Sequence, residues 1–197
     1  KLSSIKAVDY NKINIKWKKV SGATNYIVYY KKAGSSKWVK VKTLDNKKSS
    51  YTHTSSKKYP IVVGQKYQYT VKAYNKKTKK SGNYNTKGLT VTASLKMVTG
   101  IEAKIEGTTV KLTWNKVSGA DKYAIYSKIK ADDKWSKIIT VKDTSSFIDV
   151  NPCVDCTNYY SVRGYSSSTK AYGIMNKTGV SIYVKDSDEV RPTITPE

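Results

Sequence analysis

The sequence has little of what enzymes and metal proteins are commonly built from: 197 residues contain two cysteines, two methionines, one phenylalanine and one histidine. His53 lies in the first half and Cys153 and Cys156 in the second. A tetrahedral zinc site takes four ligands and cannot be completed within either half. No run reaches the ~18 apolar residues of a spanning helix, so membrane insertion is not expected. The first residues carry no charged-then-apolar leader, which leaves the compartment open because secreted proteins lose theirs. No nucleophile, base and orienting group recur at a recognisable spacing, and neither a phosphate loop nor a metal motif is present. The chain is therefore read as non-enzymatic, with no catalytic residues, no cofactor and no metal.

What is abundant points to strands. There are 17 Tyr and 4 Trp, with many Val, Ile and Thr, a balance that suits pleated, half-buried surfaces better than helices. The formal net charge is +23, and it is unevenly shared. Residues 1–97 hold 23 lysines and no arginine against Asp9 and Asp45, a net +21. Residues 98–197 hold 14 basic and 12 acidic residues, a net +2. Such a field suggests a polyanionic partner for the first half. Solvated lysines on outward strand positions, which discourage edge-to-edge pairing, account for it more simply.

Self-comparison reveals the unit of folding. W-K-K-V-S-G-A-T-N-Y-I-V-Y at Trp17–Tyr29 returns as W-N-K-V-S-G-A-D-K-Y-A-I-Y at Trp114–Tyr126, and Trp38 returns as Trp135. S-S-Y-T at Ser49 becomes S-S-F-I at Ser145, Y-T-V-K-A-Y ending at Tyr74 becomes Y-S-V-R-G-Y ending at Tyr165, and G-L-T-V at Gly88 becomes G-V-S-I at Gly179. Two modules follow, 1–96 and 97–186, with 187–197 as a linker or tail. Each shows seven short segments of period-two alternation, the pattern of an antiparallel sandwich. In the first they fall near 4–9, 12–18, 25–32, 37–43, 50–54, 66–74 and 87–93. Alternation puts Ile13, Ile15, Trp17, Tyr26, Val28, Tyr30, Tyr67, Tyr69, Val71 and Ala73 on the inward faces.

These residues resemble the fibronectin type III family as it occurs in Gram-positive gut bacteria, in which a second-strand Trp precedes V-S-G-A and a Y-x-V-Y third strand. The resemblance covers nearly the whole chain, twice. It implies an all-β fold of two tandem seven-stranded immunoglobulin-like sandwiches, with Trp17 and Trp114 in the cores. It also places Tyr67 where a tyrosine ties the loop before the sixth strand. Asn158 holds that position in the second module, and the N-P-C-V-D-C segment lies just before it. A short-loop Cys153–Cys156 disulfide, formed in an oxidising compartment, is expected there in place of the tyrosine tie.

Two surfaces are candidates for binding. Lys76, Lys77, Lys79 and Lys80 crowd the connection after the sixth strand, where phosphate, sulfate or uronate groups would be held by point-charge contacts. Tyr126, Tyr159, Arg163 and Tyr165 share the outward face of neighbouring strands, suited to a sugar ring or a protein partner, although cross-strand packing alone would explain them. Trp38 and Trp135 are either half-exposed or cover a sandwich edge. His53 reads as a structural histidine. Asp132 and Asp133 read as ordinary turn residues, and Asp186, Asp188 and Glu189 as at most a weak calcium contact. Nucleic acid is not an expected partner, since neither aromatic platforms in a basic groove nor a reader motif is recognisable.

The resemblance thus implies a non-catalytic, monomeric spacer or carbohydrate-binding accessory region of a larger secreted or surface-attached bacterial protein, its partners being neighbouring domains of the same polypeptide. The alternative is an adhesin or binding module for cell-wall or host glycans, anionic polymers or a host protein. Val190–Glu197, with two prolines and two threonines, reads as the start of a semi-extended linker.

Overall fold

A computed structural model describes residues 1–186; the expected tail at 187–197, with Asp188 and Glu189, lies outside the described residues. All sixteen elements among the described residues are strands. The chain divides into two compact units, one built on Lys1–Lys96 and the other starting at Met97.

In the first unit, β1 (Leu2–Asp9), β2 (Lys12–Trp17) and β5 (Ser50–Thr54) form one antiparallel sheet in the order β1-β2-β5. The other sheet runs β4-β3-β6-β7, with β8 also pairing β6, and consists of β3 (Asn25–Lys32), β4 (Val39–Asp45), β6 (Lys66–Asn75), β7 (Lys80–Ser81) and β8 (Leu89–Thr92). The second unit repeats this. One sheet has the order β13-β10-β9, from β9 (Glu102–Glu106), β10 (Thr109–Thr113) and β13 (Ser146–Asp149). The other has the order β12-β11-β14-β15 with β16 beside β14, from β11 (Lys122–Lys128), β12 (Ser136–Lys142), β14 (Cys156–Ser166), β15 (Ala171–Tyr172) and β16 (Val180–Val184). Each unit has eight strands rather than seven because the connection after its sixth strand contains a two-residue strand of its own. A two-residue strand closes a hairpin on the sixth, and the long strand follows after a loop.

The alternation places the core correctly. Ile13, Ile15 and Trp17 on one sheet meet Tyr26, Val28, Tyr30, Tyr67, Tyr69 and Val71 on the other, all buried, with Ala73 packed against them. Trp17 lies 5.4 Å from Tyr26, and Trp114 lies 5.4 Å from Tyr123, with nearly equal ring tilts of 55° and 54°. Each tyrosine also needs a partner for its polar tip. The Tyr26 hydroxyl accepts from Val20 N at 2.7 Å and that of Tyr123 from Val117 N at 2.8 Å. The V-S-G-A segment is thereby pinned to the third strand by the same bond in both copies.

Register fixes where the chain enters and leaves each sandwich. Leu2 pairs with Trp17, at the pole where β2 turns into β3, whereas Thr92 pairs with Lys66, at the pole where β5 turns into β6. In the second unit Glu102 pairs with Thr113 and Val184 with Cys156, the same arrangement. Each unit therefore carries the chain from one pole of its own sandwich to the other. That is about 30 Å, judged from the ~3.3 Å rise per residue along a strand the length of β6.

Residues 1–96 and 97–186 are each expected to fold when expressed separately, because each holds a full set of strands and its own core. Trp17→Ala and Trp114→Ala should each cost about 3–5 kcal/mol in its own unit, the range for truncating a buried aromatic. Urea unfolding of the separate halves checks both statements, and a loss below about 1 kcal/mol would place these indoles outside the energetic core.

Candidate functional site

The lysine-rich segment forms the β6–β7 hairpin, anchored by its first residue. Asn75 Oδ1 accepts from Lys77 N at 2.9 Å and Thr78 N at 3.1 Å, while its Nδ2 donates to Gly22 O at 2.6 Å. Lys76 N donates to Thr24 Oγ1 at 2.9 Å, and Lys79 takes the left-handed conformation that closes the turn, with φ of 54°. Lys76, Lys77, Lys79 and Lys80 are all exposed. A cleft of about 230 Å³ lies beside the hairpin, and of the four only Lys80 lines it. These bonds hold the backbone of the turn, and its four ammonium groups stand on exposed side chains.

The second candidate surface is the outward face of β11 and β14. Register pairs Lys128 with Tyr159, Tyr126 with Ser161, Ala124 with Arg163 and Lys122 with Tyr165, so the expected residues do share one face. They do not form a continuous platform. Toward one end, Tyr165 packs on Tyr172 with centroids 4.6 Å apart, the Arg163 guanidinium stands 5.0 Å from the Tyr172 ring, and Arg163 Nε donates to Gly173 O at 2.8 Å. Toward the other, Lys128 Nζ stands 4.9 Å from the Trp135 ring and 5.4 Å from Tyr159. Between them Ser161 is fully buried, its hydroxyl donating to Asn176 O at 2.5 Å across the returning loop. Tyr172 is a member that sequence reading missed. It sits in a two-residue strand whose register follows from the hairpin rather than from alternation.

Trp38 and Trp135 are half-buried, in equivalent settings. Gly88 and Gly179 have φ of +68° and +66°, and a Cβ on either would come within 2.8 Å of the facing indole. Lys31 covers Trp38 at 4.9 Å as Lys128 covers Trp135. An indole laid on a glycine and capped by a lysine recurs in both units as a way of packing the outer face. Exposed cation–π contacts contribute only about 0.5–1 kcal/mol each.

At the pole holding the β5–β6 connection, the two units solve one problem differently. Tyr67 accepts from Val62 N through its hydroxyl at 2.9 Å. In the second unit Asn158 makes the equivalent tie with its amide, accepting from Cys153 N at 2.9 Å and donating to Cys153 O at 2.7 Å. The expectation that a disulfide replaces a missing tie is corrected here: the tie is kept, and the Cys153–Cys156 disulfide, with Cα atoms 5.9 Å apart, is added to it. The loop of the second unit is shorter, and an amide reaches across it where the longer loop takes a phenol.

Nearby, a buried tyrosine hydroxyl joins the two sheets of each sandwich. Tyr69 lies 2.6 Å from His53 Nδ1 on β5, and Tyr160 donates to Asp149 Oδ2 on β13 at 2.6 Å. Burial raises the pKa of both tyrosines, and the Asp149 carboxylate raises that of Tyr160 further. His53 is packed edge-on against Tyr30 at 5.0 Å and against Tyr59 and Tyr69, and this burial lowers its pKa from 6.5 to about 4. It is a structural histidine. Of the acidic residues, Asp133 Oδ2 accepts from Lys130 N at 3.1 Å, and Asp155 Oδ1 accepts from Asp186 N at 3.0 Å. Among the described residues no three His, Cys, Asp or Glu side chains gather around a possible metal position, and no helix is long and apolar enough to cross a membrane.

Two outcomes follow. The unfolded chain protonates His53 near pH 6.5 while the folded chain resists until about pH 4. Stability of the first unit is thus full above about pH 6.5 and falls by about 3 kcal/mol as pH drops toward 4. Urea midpoints of residues 1–96 against pH should show this, and His53→Phe should flatten that part of the curve. Reducing the disulfide should cost no more than about 2 kcal/mol, because so short a loop constrains few unfolded conformations. Amide exchange should quicken around residues 152–157 without melting the strands.

No protein-family model matches the chain, and no match was found among curated proteins. Solved structures do match. A two-domain fibronectin type III segment from chicken tenascin is 11% identical, with a TM-score of 0.53, covering 92% of this chain and 94% of that one. The FN1–FN3 domains of chicken CNTN1 are 20% identical with a TM-score of 0.41, covering 94% of this chain but 66% of theirs. An Fn3-like protein from Clostridium thermocellum is 22% identical with a TM-score of 0.40, covering 48% of this chain and 96% of that one. With its strand orders and its repeat, the chain has the all-β fold of two tandem fibronectin type III-like sandwiches.

Proposed function

We propose that the chain is a non-catalytic spacer or accessory region of a larger extracellular protein, secreted or attached to a bacterial cell surface, whose nearest partners are the neighbouring domains of its own polypeptide. The observation that carries this reading is the pole-to-pole passage of the chain through each sandwich, repeated with the same register. A unit entered at one pole and left at the other moves the polypeptide forward by its own length. The tandem fibronectin type III-like fold supports a non-catalytic module role. A Gram-positive origin and a monomeric state belong to this proposal and rest on the V-S-G-A and Y-x-V-Y resemblance.

The charge of residues 1–97 favours the second reading, adhesion to an anionic polymer. The hairpin weighs against a specific site, since the four lysines are exposed, only Lys80 among them lines the neighbouring cleft, and lysine contributes a point charge without bidentate geometry.

Heparin binding by residues 1–96 separates the two. Attraction of exposed lysines is screened with a Debye length of about 8 Å at physiological ionic strength, so binding should weaken steeply with salt. Changing Lys76, Lys77, Lys79 and Lys80 together to Ala should lower affinity by the same factor as changing Lys32, Lys37, Lys57 and Lys66, which are exposed toward the opposite pole. A selective loss from the hairpin variant that persists at physiological salt would reverse the order of the two readings. The tyrosine face of the second unit is tested in the same way with neutral glycans, for which Tyr159→Ala and Tyr172→Ala are expected to change nothing.

A further inference from the structure

The internal repeat supplies a template for what fits inside the second sandwich. In the first unit the pole beside the β5–β6 connection is lined by aromatic rings, which leave a smaller cleft of about 180 Å³ beside Tyr30 and Tyr67. Tyr30 stands between Tyr67 at 6.0 Å, Tyr59 at 6.2 Å and His53 at 5.0 Å, and Tyr30 and Tyr67 are 7% and 0% exposed. Register identifies the counterparts. Tyr30 faces Tyr69 across β3 and β6 as Ser127 faces Tyr160 across β11 and β14, and Tyr67 pairs with Val91 as Asn158 pairs with Ile182. Ser127 and Asn158 thus stand where two phenol rings stand in the first unit. The shorter 150–156 loop has no equivalent of Tyr59.

The space is not recovered by collapse of the second sandwich. A cavity of about 390 Å³ lies there, lined by Ser127, Asp149 and Asn158 on its polar side and by Ile138, Ile139 and Phe147 on its apolar side. Ligand pockets run from roughly 300 to 1,000 Å³. The change propagates to the edge strand. Val41 packs against the core of the first unit, whereas its counterpart Ile138 is 44% exposed, and Lys42 is replaced by Ile139, 41% exposed. An apolar mouth beside a half-buried carboxylate is an unusual use of an edge, where charge is the ordinary protection.

We infer that this cavity is a binding site for a small phenol, whose ring takes the place of the tyrosine rings of the first unit and whose hydroxyl donates to Asp149. The carboxylate retains acceptor capacity for it. Asp149 Oδ2 accepts from Tyr160 at 2.6 Å and Oδ1 from Asn151 N at 3.1 Å, and each carboxylate oxygen offers about two acceptor sites. Asn158, committed to Cys153 by both ends of its amide, holds its side of the cavity rigid. The disulfide in the same short loop does likewise.

The test uses p-cresol, which is the tyrosine side chain as a free molecule, titrated into the full 197-residue chain and followed by amide chemical shifts. Saturable shifts are expected at Ser127, Phe147, Asp149 and Asn158, with a dissociation constant on the order of 1 mM, and none at Tyr30, Tyr67 or His53. Toluene should bind several-fold more weakly because it cannot donate to Asp149, and equal binding would overturn the pairing. Ser127→Tyr should weaken p-cresol at least about tenfold by filling the cavity from within, as Tyr30 fills the first unit. Unchanged binding by that variant would overturn the site. Contacts by nuclear Overhauser effect between the cresol ring and Ile138, Ile139 and Phe147, measured on the unaltered chain, decide the location even if the variant fails to fold. Shifts without saturation, or ring contacts elsewhere, would overturn the inference.

Discussion

Each sandwich encloses a sixth-strand tyrosine, Tyr69 or Tyr160, that is fully buried. Its ring supplies core area, but its hydroxyl lies in a low-dielectric interior where an unmet hydrogen bond costs about 1–3 kcal/mol. The opposing sheet meets it at one position of the fifth strand, where both units place a polar partner, His53 or Asp149, at the same 2.6 Å. That bond crosses between the sheets, so it ties their spacing as well as satisfying the phenol. The identity of that partner then sets its surroundings. A neutral imidazole tolerates the aromatic enclosure of Tyr30, Tyr59 and Tyr67, and its lowered pKa reflects that enclosure. A carboxylate fits better where Ser127 and Asn158 leave room and polarity.

This difference between the units was not legible in the sequence, although nearly everything it rests on was. Alternation located the strands and inward faces because one buried side imposes a period of two, and the repeated Trp and V-S-G-A segments marked the units. What alternation cannot show is which polar residue meets which across two sheets. His53 and Asp149 are aligned in the repeat, yet nothing local pairs them with Tyr69 and Tyr160. The extra strand of each unit was hidden for a related reason: β7 and β15 are two residues long, too short for any period. The boundaries of β4 moved by two residues because Trp38, read as part of the strand, is turned onto Gly88.

Lys76, Lys77, Lys79 and Lys80 crowd together in sequence, and they lie exposed on a hairpin where only Lys80 among them borders a cleft. Tyr126, Tyr159, Arg163 and Tyr165 do share a face, yet Tyr172 and the loop carrying Asn176 fold onto it. The outer faces of both units are finished by packing, with indole on glycine and lysine on indole, and this suits a module that holds position more than one that grips a ligand there. The feature that departs from such finishing lies at a pole, where the second unit lacks the rings that complete the first.

The cross-sheet bond of the buried tyrosine organises each sandwich. A double-mutant cycle on Asp149→Ala and Tyr160→Phe in the full chain, read by native-state hydrogen exchange of β10 and β14 amides, tests it most directly. A hydrogen bond to a charged group in the interior predicts a coupling of about 1.5–3 kcal/mol. Effects that add to within about 0.5 kcal/mol would mean that the two side chains are merely neighbours, and would contradict the account.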